Sequence, residues 1–159
     1  MNPASATATA HESPEEFHPS PVVDPRGVRF GQALTATGLL AGIAIGRPEP
    51  VYLVAAALVT AVATGWRVDV WAALYQTLVA PLVGPTADDE PAAPHRFAKL
   101  LGATGSAIAS VFLVAGFDVA GFVVAGAVAA AAALAAVTGL CLGCRLYRGV
   151  SLVRRLGLV

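Results

Sequence analysis

The chain has 159 residues, 57% of them hydrophobic and only 13% charged, with a mean hydropathy of +0.72. That is too little polar surface for a soluble globule of this size, and it points to an all-α integral membrane protein. Ten basic and ten acidic residues cancel, which excludes the basic excess of a nucleic-acid-binding protein and leaves the placement of charge as the useful signal.

Residues 1–22 are rich in Ala, Ser, Thr, Pro and Glu and lack the basic and apolar regions of a signal peptide. They read as a disordered tail ahead of a membrane domain over residues 23–159. A bilayer crossing needs about 20 apolar residues, with roughly 17–25 tolerated, and four runs qualify or come close. The first is 30–46, stopped by "RPEP", and the second, short on its own, is 51–66, closed by Arg67. The segment 67–83 follows, with Trp71 and Tyr75 at helical spacing and Trp66 just before it. Such aromatic residues settle at headgroup depth, so the segment reads as a cytoplasmic surface helix; the alternative is that it prolongs the second span. The third span is 100–117, and Asp118 in "GFDVAG" is placed to cap the fourth, 119–142. A second amphipathic segment begins at Tyr147.

Basic residues collect on the cytoplasmic side of membrane proteins. Here Arg26, Arg29, Arg67, Arg96, Lys99, Arg145, Arg148, Arg154 and Arg155 fall on one side and Arg47 alone on the other. Both termini are therefore expected in the cytoplasm, with the protein in the inner (plasma) membrane. "RFGQALTATG" from Arg29 matches "RFAKLLGATG" from Arg96 at six positions in ten, and each half closes its second span with "TG", at Thr64-Gly65 and Thr138-Gly139. The expected fold is a four-helix bundle made of two parallel two-helix repeats, with amphipathic segments after helices 2 and 4. Small residues, Gly38, Gly42 and Gly46 in span one and Gly102, Ser106 and Ser110 in span three, let helices approach closely, within the bundle or across a homodimer seam.

The four spans hold no Lys, Arg, Glu or His, which argues against an ion-coupled transporter. The chemistry-bearing motif is "TGLCLGCRLY", which contains the only two cysteines, Cys141 and Cys144. On one helix, residues three apart share a face, and in the cytosol they would rest as a reduced dithiol. If span four runs unbroken through Cys144, the helix dipole disfavours thiolate; if the helix breaks at Gly139, the dipole of a new helix and Arg145 favour it. The plainer alternative makes both cysteines small packing residues. A zinc site would need two more ligands, and only His95 is placed to be one, so no metal or cofactor is expected. Arg29 and Arg96 hold equivalent places at the starts of spans one and three, where a helix dipole disfavours a cation. Lipid phosphate explains them, or an anion site shared with the cysteines, and Asp24 or Asp69 could pair with either arginine.

"VDPRGVRFGQAL", "PHRFAKLLG" and "TGLCLGCRLY" resemble, in that order, the bacterial membrane family DUF4395, a domain of unknown function, over roughly residues 22–150. The matching residues are Asp24, Arg26, Arg29, Phe30, His95, Arg96, Phe97, Cys141, Gly143, Cys144 and Tyr147. The resemblance implies a small multi-pass membrane protein, from a family whose members often sit beside thioredoxin-like proteins or sulfurtransferases, and so a link to sulfur or thiol traffic. The expected function is a cytoplasm-facing dithiol, Cys141 and Cys144, that exchanges electrons or sulfane sulfur with a soluble partner of that kind, with Arg29, Arg96 and Arg145 favouring thiolate or holding an anionic sulfur species. If the protein is an enzyme, its reaction is then thiol–disulfide exchange or sulfur transfer. The alternatives are a passage for a small neutral or anionic solute, or a membrane anchor.

Overall fold

The structure, a computed structural model, describes residues 22–84, 90–139 and 141. Asp24 starts the first helix, α1 (Pro25–Ile45), its Oδ1 accepting the Arg26 N–H at 2.8 Å, with Pro25 at the first helical position. The helix stops at Gly46, whose left-handed backbone (φ 64°) lets the Arg47 N–H reach back to the Gly42 carbonyl at 2.9 Å. A short turn leads into α2 (Glu49–Ala63), then α3 (Val70–Leu78) and the single turn α4 (Ala80–Val83). Two long helices, α5 (Ala92–Val114) and α6 (Asp118–Thr138), complete the fold. The leads into α1 and α5 are joined by a two-residue antiparallel ladder, β1 (Val22–Val23) on β2 (Glu90–Pro91), a feature absent from the all-helical expectation.

Around the core, α1 packs on α2 and α6, and α5 packs on the same two helices, while α3 lies against α1 and α2. The interior is made of Leu39, Val51, Val54, Leu58 and Leu113 set among the alanines Ala103, Ala109, Ala125 and Ala129. Many small residues bring the backbones close, and the contacts are shaped to them. A side chain at Gly38 would meet Val54 at 2.6 Å, one at Gly105 would meet Val128 at 2.5 Å, and one at Gly121 would meet Leu113 at 2.5 Å. The outer faces carry Leu53, Val111, Val119 and Val137, all more than three-fifths exposed. Three helices, α1, α5 and α6, are long and apolar enough to cross a membrane. That outer surface and those helices are compatible with a membrane protein in a lipid environment.

Several boundaries differ from the sequence expectation. The second apolar run forms a helix of 15 residues, below the length of the other three. It ends early because Thr64 turns the chain: the Thr64 hydroxyl donates to the Thr60 carbonyl at 2.8 Å and accepts the Val68 N–H at 3.1 Å. Gly65 and Trp66 then take left-handed backbones (φ 60° and 70°), so α3 is a separate helix. Asp118 does not cap α6; it lies in the first turn, where its charge suits the helix dipole, and the residue before the helix, Phe117, closes the turn through its own N–H to the Phe112 carbonyl at 2.9 Å. Gly46, expected on the packing face of α1, instead terminates the helix and has open space around it. α6 stops at Thr138, short of 142.

Candidate functional site

At the end of the molecule where α1 and α5 begin and α2 and α6 finish lies a cavity of about 590 Å3. Its walls are the first three turns of α1, the start of α5, the last turns of α6 and, across one side, α3. Of the residues singled out from sequence, Asp24, His95, Arg96 and Cys141 line it. Arg29 stands beside it against Gly139, the Phe30 ring meets Tyr75 in a tilted contact with centroids 5.8 Å apart, and Arg26 contributes its backbone N–H to Asp24. Phe97 is half-buried on α5. Gly143, Cys144, Arg145 and Tyr147 lie outside the described residues.

The polar side chains of this end are largely committed to each other. Asp24 uses one oxygen to cap α1 and the other to accept the Tyr75 hydroxyl at 2.7 Å. That hydrogen bond, with burial and the carboxylate charge, pushes the Tyr75 phenol above its usual 10.0, with Arg26 opposing. Asp69 accepts the Ala72 N–H at 3.2 Å, capping α3, and its second oxygen takes the Lys99 ammonium from α5. His95 Nε2 meets Glu90 Oε2 at 2.7 Å. Neither Asp24 nor Asp69 takes an arginine guanidinium among the described residues, contrary to the sequence expectation, because a tyrosine and a lysine from distant parts of the chain occupy them.

The two equivalent arginines find other surroundings. The Arg29 guanidinium rests directly on Gly139, the left-handed residue (φ 70°) that ends α6; a side chain there would collide with it. The Cys141 N–H then donates to the Gly139 carbonyl at 3.1 Å, which sets Cys141 immediately past the turn and on the cavity wall. The break at Gly139 rules out an α6 that runs unbroken through both cysteines. Arg96 lies 5.8 Å above the centre of the Trp66 ring, within cation–π range. Trp66 is the only non-glycine among the described residues with a positive φ, a conformation that costs roughly 1–3 kcal/mol. The strain aims its indole at the cavity and at Arg96.

Trp66, Trp71 and Tyr75, aromatic residues of the type that settles at headgroup depth, all line the cavity. Tyr75 is 2% exposed, and the Trp71 indole N–H is buried without a hydrogen-bond partner among the described residues. The i, i+4 spacing of Trp71 and Tyr75 put them on one face; which neighbour they face was not in the local sequence.

Searches of curated proteins and of solved structures returned no match. The model of one family, described as a domain of unknown function, does match, over residues 23–151, and so covers the whole membrane-compatible region and the cavity. The chain belongs to the DUF4395 family.

Proposed function

We propose that this is a multi-pass protein of the bacterial inner membrane in which Cys141 and Cys144 form a cytoplasm-facing dithiol that exchanges electrons or sulfane sulfur with a soluble thioredoxin-like or sulfurtransferase partner. The observation that carries this reading is the position of Cys141. It follows the left-handed turn at Gly139, has Arg29 beside that turn, and lines the cavity at the end where Arg26, Arg96 and Lys99 also gather. By the distribution of basic residues this end faces the cytoplasm. In the exchange a cysteine thiolate attacks a sulfur of the partner's disulfide, a mixed disulfide forms, and the partner's other sulfur leaves as thiolate; the second cysteine then resolves the mixed disulfide.

The membrane architecture belongs to the same proposal. Four spans, α1, α2, α5 and α6, form a bundle of two parallel repeats. One pair of equivalent contacts supports it: Gly38 against Val54 and Gly105 against Val128, matched glycines on the first helix of each half packed on the second. The 15 residues of α2 give about 22 Å of helix, less than the ~30 Å hydrocarbon core, so the bilayer thins beside it. On this reading α3 lies along the cytoplasmic surface.

The test is trapping in inside-out vesicles supplied with cytosol. Cys144→Ser and Cys141→Ser variants are resolved on non-reducing gels, and an impermeant maleimide reports access to the remaining thiol. One of the single variants is expected to hold a mixed disulfide with a soluble thioredoxin-like or sulfurtransferase protein that the double variant lacks. Maleimide labelling without any trapped partner would refute the relay.

A further inference from the structure

The cavity is larger than one thiol needs. Its lining on α1 runs from Asp24 to Thr35, 11 residues apart, or about 16 Å along the helix axis, and its inner part is apolar, walled by Leu58, Val128 and alanines of α6. The volume of about 590 Å3 lies within the range of roughly 300–1,000 Å3 that takes one small molecule. At the outer end the charges are spent in pairs, Lys99 with Asp69 and His95 with Glu90. Arg96 has no carboxylate within ion-pair distance among the described residues. It sits 5.8 Å over the Trp66 ring, and a guanidinium carries the N–H donors that grip a carboxylate or phosphate in bidentate fashion. The same wall holds the Trp71 indole N–H, buried with no acceptor among the described residues. A long apolar slot with an unspent cation at its mouth and an orphaned donor in its wall is complementary to a molecule that is apolar along its length and anionic at one end.

We infer that this cavity binds one single-chain anionic amphiphile, its carboxylate or phosphate head held by Arg96 and its hydrocarbon chain laid between α1, α5 and α6 past Leu58 and Val128. Binding does not depend on the thiol reading. Free fatty acids and single-chain phospholipids carry the same head-and-tail chemistry, and the experiment separates them.

The chain has two tryptophans, Trp66 and Trp71, and both line the cavity, so intrinsic fluorescence reads the site directly. The protein is placed in nanodiscs of zwitterionic phosphatidylcholine and titrated with brominated stearic acid, or with a brominated lysophosphatidic acid, each a quencher on contact. Quenching is expected to saturate near one probe per protein and to be relieved by the unbrominated compound. Arg96→Gln should weaken half-saturation at least tenfold. Ala132→Phe, which fills the slot and leaves Arg96 in place, should abolish the saturable phase. Saturation by stearic acid alone assigns a free acid, and saturation by the lysophospholipid alone assigns a phosphate-headed lipid. Quenching that rises without saturation and equally in wild type, Arg96→Gln and Ala132→Phe would be partition into the bilayer and would overturn the inference. Relief by inorganic phosphate alone would also overturn it, by reducing the site to a simple anion pocket.

Discussion

Asp69 joins the wall of the cavity to the helices behind it, and replacing it separates two contributions. Its Oδ1 caps the nine-residue α3 through the Ala72 N–H at 3.2 Å, and its Oδ2 holds Lys99 of α5. A helix this short does not stand on its own, so its place depends on such ties. Removing an N-cap costs about 1 kcal/mol. The ion pair, with side chains 17% and 25% exposed, is partly screened and contributes about 1 kcal/mol. Asp69→Ala loses both, about 2 kcal/mol in all, whereas Asp69→Asn keeps a capping oxygen as good as the original and loses only the pair. Read by amide hydrogen exchange on protein in nanodiscs, α3 should open about thirtyfold more often in Asp69→Ala and about fivefold more often in Asp69→Asn. Exchange in the middle of α6, which has no part in either contact, should not change. Equal effects from the two substitutions would show that the cap contributes nothing, and unchanged exchange in α3 would refute the assignment of Asp69 as its tether.

Tyr75→Phe tests the other tie across the cavity. The native phenol titrates above 10.0 because Asp24 accepts its proton and burial opposes the phenolate, so its contribution to stability is whole below pH 10.0 and is lost as the pH rises through the raised value. The stability gap between wild type and Tyr75→Phe, followed by unfolding titrations at increasing alkaline pH, should therefore close on that limb; a gap that stays constant would contradict the hydrogen bond. Gly121→Ala puts a methyl group 2.5 Å from the Leu113 side chain and 3.1 Å from the Ala109 carbonyl, overpacking that should lower stability by about 1–3 kcal/mol. Leu113→Ala in the same chain should recover part of that loss if Leu113 is the obstacle, which a double-mutant cycle measures.

Hydropathy marks out the apolar helices because a bilayer-length helix needs little more than an uninterrupted run, but the stops at Gly46 and Gly139 rest on left-handed backbones that the run does not announce. Other boundaries were hidden for physical reasons. The apolar letters of "VATGW" continue past Ala63, and nothing local says that Trp66 will accept a left-handed backbone, which tryptophan disfavours on its own. The apolar letters after Gly139 in "LCL" likewise suggested that the helix goes on. In the site, Cys141, Asp24, His95 and Arg96 were readable as types worth watching. Their partners were not, because Asp24 meets Tyr75 from 51 residues away and Asp69 meets Lys99 from 30, separations that only packing decides.

The two arginines show what the sequence posed and packing answered. Each begins a helix, where the dipole repels a cation, and the similar stretches "RFGQALTATG" and "RFAKLLGATG" put both in that position. In the folded chain Arg29 instead meets the end of α6 at Gly139, and Arg96 meets Trp66, two residues beyond Thr64 at the end of α2. Helix C-termini attract cations, so the unfavourable end of one helix is offset by the favourable end of another. The exchange is crossed: the arginine near the start of α1 packs where α6 finishes, and the one near the start of α5 packs beside the end of α2. One of these contacts lies at the turn before Cys141, and the other sets Arg96 over the Trp66 ring on the cavity wall. The same arrangement that settles two misplaced charges thus builds the mouth of the site, and it accounts for a "TG" at the end of both α2 and α6, where each threonine hydroxyl donates back to a carbonyl one turn earlier and the glycine takes the left-handed turn.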